Sequence, residues 1–158
     1  MREGPGSDPV AEGITITRVF DAPRELVFRA WTEPERFARW FGGPGTEVPP
    51  STVSMEVRPG GAWRATMFAG PDRREIRWQG VYREVVAPER LVFTITDQPE
   101  LPEEGHELVT VVLSSLGDGK TEMMFHQGGG HLTAEEYPRA RHGWSAFFER
   151  MAQLLAEG

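Results

Sequence analysis

Residues 139–156 read RARHGWSAFFERMAQLLA. Trp144, Phe147, Phe148, Met151, Leu154 and Leu155 recur at i, i+3, i+4, i+7, i+10 and i+11, which puts one broad apolar stripe along a helix. Arg139 to Ala156 therefore reads as an amphipathic helix of about 18 residues, roughly 27 Å long and able to cross a sheet. Upstream, Thr133 and Glu136 resemble a capping box. Pro138 would remove an internal bond from a single helix begun at Thr133. The expectation is a short turn over Thr133 to Tyr137, then the long helix with Pro138 near its start.

Working back from this helix, the chain is strand and turn. Met123, Phe125 and Gln127 share one face of an alternating segment. So do Val109, Val111 and Leu113; Leu91, Phe93 and Ile95; Ile76, Trp78, Gly80 and Tyr82; Trp63, Ala65 and Met67; and Val53, Met55 and Val57. Period-two alternation marks strands with one buried face. Pro59-Gly60-Gly61, Gly70-Pro71-Asp72, Ala87-Pro88-Glu89 and Gly117-Asp118-Gly119 separate them as turns. Connections this short force antiparallel pairing. Earlier still, Ile14 to Asp21 alternates as a first strand. Arg24 to Trp31 and Pro34 to Trp40 then read as two short helices, with Asp21 and Thr32 as cap candidates. Gly42-Gly43-Pro44-Gly45 ends the second. Residues 1–13 read as a flexible arm and 14–158 as one α+β domain, with about six to seven strands wrapped around the C-terminal helix.

The 158 residues suit one core. A net charge of -7 disfavours nucleic acid and anionic lipid, and no basic patch overrides it. The absence of cysteine excludes disulfides, thiolate metal sites and cysteine nucleophiles. No apolar run reaches the roughly 20 residues of a membrane span, and residues 1–13 lack the apolar stretch of a signal peptide. A cytoplasmic location is the default expectation.

Several segments resemble catalytic or binding motifs and fail on context. Gly117-Asp118-Gly119-Lys120-Thr121 ends like a phosphate-binding loop, but position 114 is serine and a strand follows; a hairpin turn explains it better. Gly143-Trp144-Ser145-Ala146-Phe147 places its serine inside a helix rather than on an exposed elbow. His106, His126, His131 and His142 lack metal-ligand spacing, so no metal and no cofactor is expected. Gly128-Gly129-Gly130 reads as a link into the last helix, with a hinge as the alternative.

The run Arg18-Val19-Phe20-Asp21-Ala22-Pro23, followed by Val27-Phe28-Arg29-Ala30-Trp31-Thr32-Glu33-Pro34-Glu35, resembles the opening motif of the SRPBCC superfamily. More narrowly it resembles the branch named after the activator of heat-shock-protein-90 ATPase. Arg39-Trp40-Phe41-Gly42, Arg58-Pro59-Gly60-Gly61-Ala62-Trp63, Pro88-Glu89-Arg90-Leu91-Val92-Phe93-Thr94 and His142-Gly143-Trp144 match later motifs in order, and the resemblance runs from Ile14 to Leu155. It implies a helix-grip fold whose sheet and C-terminal helix enclose a cavity for lipids, sterols, polyketides or other apolar molecules. It implies no shared catalytic triad. The co-chaperone that gives the branch its name has an additional large N-terminal domain, where this sequence has 13 residues. The resemblance is therefore expected to carry the fold rather than chaperone activation.

Inward-phase residues define the expected site: Trp63, Met67, Trp78, Tyr82, Phe93, Phe125 and Gln127 from the strands, Trp144 and Phe148 from the helix. Either they line an apolar pocket or they fill a core. Tyr82 and Gln127 would orient a ligand, while the Arg18 head is expected at the sheet rim beside an acid. The leading expectation is a module that binds a small apolar or amphipathic molecule, lipid-, sterol- or polyketide-like. One rival is a cyclase- or hydrolase-like enzyme on the same cavity, which would need an acid–base pair. Glu56 and Glu84 fall on outward phases unless a bulge reverses them. The other rival is a chaperone-related interaction module. No nucleic acid or membrane insertion is expected, and homodimerisation stays open.

Overall fold

The computed structural model describes residues 13–157; the expected arm over 1–13 lies outside them except for Gly13. Strand β1 (Gly13–Phe20) leads into helices α1 (Arg24–Thr32) and α2 (Pro34–Trp40). Strands β2 (Thr46–Glu47), β3 (Ser54–Met55), β4 (Ala62–Ala69), β5 (Arg74–Val86), β6 (Arg90–Ile95), β7 (Glu107–Gly117) and β8 (Lys120–Gly128) follow, and α3 (Tyr137–Ala156) closes the chain. The strands form one eight-stranded antiparallel sheet ordered β1-β8-β7-β6-β5-β4-β2, with β3 also on β4. This is the α+β arrangement expected from the alternating segments.

Local chemistry sets the boundaries. Asp21 does not cap α1: the N-cap is Pro23, whose carbonyl accepts from the Leu26 and Val27 amides at 3.0 and 3.2 Å. Asp21 instead faces Lys120 at 3.6 Å. Thr32 does not cap α2 either. Its hydroxyl donates back to the Phe28 carbonyl, and Glu33 takes the N-cap. Pro34 opens α2 where a missing N–H costs nothing. The Trp40 indole N–H donates to the Ala30 carbonyl at 2.8 Å, which ties α2 to α1. At the β7–β8 turn, Asp118 and Gly119 both have positive φ, as a type I′ hairpin requires.

Helix α3 begins at Tyr137, two residues before the expected start. The Thr133 amide donates to Glu136 Oε1 at 2.9 Å and the Glu136 amide to Thr133 Oγ1 at 3.2 Å, a reciprocal capping box. Helical bonds then run from Tyr137 N to Thr133 O and from Ala140 N to Glu136 O. Pro138, second in the helix, falls within its first turn and breaks nothing. Trp144, Phe148, Met151 and Leu155 are buried against the sheet and the two short helices. The free edge of β1 is closed by α3: Arg141 donates to the Thr15 carbonyl at 2.7 Å, and Arg18 pairs with Glu149 at 2.8 Å.

A bulge between Tyr82 and Glu84 shifts the phase of β5, and it is this bulge that turns Glu84 outward, since unbroken alternation from Tyr82 would point it inward. Tyr82 stays inside, Arg83 and Glu84 both face solvent, and Val85 turns back toward the core. Glu84 pairs with Arg90 at 2.8 Å, and Glu56 lies 3.8 Å from Arg58, so both carboxylates belong to the outer surface. Among the described residues no helix is long and apolar enough to cross a membrane.

Candidate ligand site between the sheet and the helices

The space between sheet and α3 is occupied by rings, and the ring at its centre is Trp31. Its centroid lies 4.8 Å from Trp40, 6.0 Å from Phe93, 6.3 Å from Phe125, 6.1 Å from Trp144 and 6.0 Å from Phe148. Helix α1 thus inserts an indole between the sheet and the C-terminal helix. These edge-on, tilted and offset contacts are the favoured geometries of aromatic pairs. Of the two expected outcomes, pocket or filled core, the rings come close to the second. Against the roughly 300 Å³ of an ordinary ligand pocket, a gap of about 10 Å³ remains. That is about the room one water molecule needs.

The gap is lined by Trp31, Phe37, Met55, Trp63, Tyr82 and Phe93. Of the expected site residues, Trp63, Tyr82 and Phe93 meet here. The Trp63 indole donates to the Thr94 carbonyl at 3.0 Å. Gly80 makes that bond accessible, since a Cβ there would sit 2.5 Å from the indole nitrogen and 1.7 Å from the Thr94 carbonyl oxygen. The Trp31 indole N–H is fully enclosed and has no acceptor among the described residues. The Tyr82 hydroxyl makes no hydrogen bond to the described residues. Burial holds its pKa well above the ordinary tyrosine value, so it remains a neutral donor. One enclosed donor without a partner among the described residues, Trp31 Nε1, therefore belongs to a ring that lines this gap.

The other expected residues lie elsewhere in the core. Phe125, Trp144 and Phe148 pack on the far side of Trp31 and on one another, with centroids 4.7–5.6 Å apart. Met67 is buried, and half-buried Trp78 packs 6.2 Å from Phe41 with its indole nitrogen unpartnered. Gln127 is fully engaged by protein. Its carbonyl accepts from the Trp144 indole at 2.6 Å, and its amide donates to Glu107 Oε1 at 3.1 Å.

Glu107 was not among the expected site residues. It is 3% exposed. Its Oε2 accepts from the Tyr137 hydroxyl at 3.1 Å and from the Leu132 amide at 3.3 Å. Gly130 presses against it, and a Cβ there would lie 2.4 Å from Oε2. Trp144, Gln127, Glu107 and Tyr137 form one buried chain of hydrogen bonds that fastens the start of α3 to β7 and β8. Its signal was in the sequence: Glu107 shares the inward phase of Val109, Val111 and Leu113. Gly128-Gly129-Gly130 is thus a packed link at its last residue. The four histidines do not converge: His126 faces outward beside Met124 and meets Thr15, while His131 meets Gln98 and the Gly105 carbonyl. No cluster of metal-binding side chains forms among the described residues.

The fold recurs among solved structures. A protein of Chromobacterium violaceum superposes with a TM-score of 0.77 at 26% identity, over 90% of this chain and 96% of that one. A protein of Arthrobacter aurescens gives 0.78 at 25% identity, over 97% and 91%. An HSP90 activator from Plasmodium falciparum gives 0.69 at 18% identity, over 92% and 96%, a likeness of fold alone. No curated protein matches the chain. The family model described as Activator of Hsp90 ATPase homolog 1-like protein matches residues 21–156, from the end of β1 to the end of α3, and the chain belongs to that family.

Proposed function

We propose that the chain binds a small, mostly apolar molecule bearing one hydrogen-bond acceptor, at the gap between sheet and helices. The observation that carries this reading is the Trp31 indole N–H, enclosed and without an acceptor among the described residues, on a ring that lines the gap together with Tyr82. A buried donor without an acceptor costs about 1–3 kcal/mol. A carbonyl or ether oxygen accepting from the Trp31 indole would recover that cost while its carbon frame stays in an aromatic environment.

Entry requires side chains to move, because the gap holds about 10 Å³. Its cover is suited to moving. Met55 is unbranched and flexible, and it sits on a strand of two residues paired to β4 at Ser54↔Arg64 and Met55↔Trp63, with the Glu56 amide bonded to the Ala62 carbonyl beside them. Short pairing makes this the segment that opens at low cost. No carboxylate or histidine lines the gap, so the arrangement supports binding rather than acid–base turnover.

Substitution at the cover and at the donor tests the reading. Met55→Ala is expected to enlarge the gap and raise affinity for an aromatic ketone such as acetophenone by roughly tenfold, as the displacement cost falls. Trp31→Phe keeps a ring but removes the donor, and is expected to lower affinity by roughly tenfold. Calorimetric titration of the three proteins reads both changes. Absence of saturable binding to Met55→Ala, in a folded protein, would end the proposal.

A further inference from the structure

A second cavity, of about 320 Å³, lies on the outer side of α2, against α3 and the Gly42–Gly45 loop. It shares no lining residue with the aromatic gap. Arg39 from α2 and Arg150 from α3 both face it, with Thr46 and Gln153, and no aspartate or glutamate lines it. Among the described residues neither arginine has a carboxylate within ion-pairing distance. Arg150 is oriented by its Nε, which donates to the Arg39 carbonyl at 3.3 Å. That bond leaves the two terminal nitrogens of Arg150 for another acceptor. Phe41, Pro44, Val48 and Ala38 supply an apolar floor.

We propose that this cavity binds a soluble phosphate monoester carrying a small apolar group. Both arginines are exposed, so water and salt weaken their mutual repulsion, while an anion lying between them is attracted by both. Each guanidinium presents a fork of N–H donors that fits phosphate or carboxylate oxygens in pairs. A carboxylate has two oxygens and saturates one fork. A phosphate monoester has three terminal oxygens and close to two negative charges at neutral pH, enough to engage both arginines at once. The volume beyond the anion and the apolar floor accommodate the ester's organic part. The chain's net charge of -7 opposes anions elsewhere, so binding at this cavity is local.

Phenyl phosphate is the probe, with benzoate, inorganic phosphate and vesicles containing phosphatidic acid as comparisons. The expected result is saturable binding of phenyl phosphate, tighter than benzoate or inorganic phosphate, with amide shifts at Gly43, Gly45, Thr46 and Gln153. Arg39→Gln keeps the backbone carbonyl that Arg150 uses, and should weaken binding roughly tenfold or more. Arg150→Gln should do the same, while Arg64→Gln, on the exposed face of β4, should change nothing. Unchanged thermal unfolding of each variant separates lost contacts from lost structure. Three results would overturn the proposal: no saturable binding at millimolar concentration, equal binding by the Arg39→Gln and Arg64→Gln variants, or binding to the vesicles alone.

Discussion

Trp31→Ala is expected to destabilise the fold by about 3–5 kcal/mol, the range for deleting a large aromatic side chain from a core. Domains of this kind are stable by only about 5–15 kcal/mol, so the loss would take about a fifth of the stability or more. The reason is position. Trp31 is 2% exposed and touches rings from every layer: Trp40 on α2, Phe93 and Phe125 on the sheet, Trp144 and Phe148 on α3. Removing it leaves a void whose walls belong to four separate elements, and rigid helices and strands cannot all close on it at once. Urea unfolding measures the change. Trp31→Phe, which fills most of the void and discards an unpartnered N–H, should cost much less. A loss below about 1 kcal/mol for Trp31→Ala would mean that the walls do collapse and that the core does not turn on this residue.

The second large effect is expected at Glu107. Replacing it with alanine removes the acceptor shared by Gln127 Nε2, Tyr137 Oη and the Leu132 amide. Each buried donor left without a partner costs about 1–3 kcal/mol, and partial relaxation of the 129–137 segment toward water brings the expected total to about 3 kcal/mol. Glu107→Gln keeps one acceptor oxygen of two and should fall between wild type and alanine. The damage should also be local. Hydrogen exchange at Leu132 and in the first turn of α3 should speed up before that of the central strands. Uniform exchange changes across the sheet would contradict the assignment of Glu107 as the fastening of α3.

Much of this architecture was legible because two periodicities carry it. The stripe from Trp144 to Leu155 located α3, and alternation located the strands, since burial on one face leaves a mark at every second residue. Caps were less legible. Asp21 and Thr32 are the right residue types, yet Pro23 takes the N-cap of α1 with no side-chain cap bond, and the Thr32 hydroxyl is taken by the Phe28 carbonyl. Tertiary placement decided both. Arg18 was readable as a rim residue, and it meets Glu149 there.

The site was legible in part, for a different reason. Phase tells which way Trp63, Tyr82 and Phe93 point, but how much space is left between facing layers depends on what enters from a third element. Here α1 contributes Trp31, whose own helical face was plain while its partners were not. Gln127 shows the same limit. An inward amide must find partners, and only the folded chain reveals that they are Trp144 and Glu107 rather than an open volume. Nothing in the local sequence around Arg39 and Arg150 brings them together, because they are far apart in the chain and meet where α2 packs on α3.

The claim that most needs a direct reading is that the gap beneath Met55 takes a small apolar molecule. Proton–nitrogen NMR of the wild-type protein, titrated with acetophenone, observes it at the indole N–H of Trp31. The expected result is a saturable shift of that resonance toward the hydrogen-bonded range, with transfer of magnetisation from the probe to the Met55 methyl and the Trp63 ring. A Trp31 signal that stays fixed while the probe contacts only exposed side chains such as Val19 or Leu116 would contradict it.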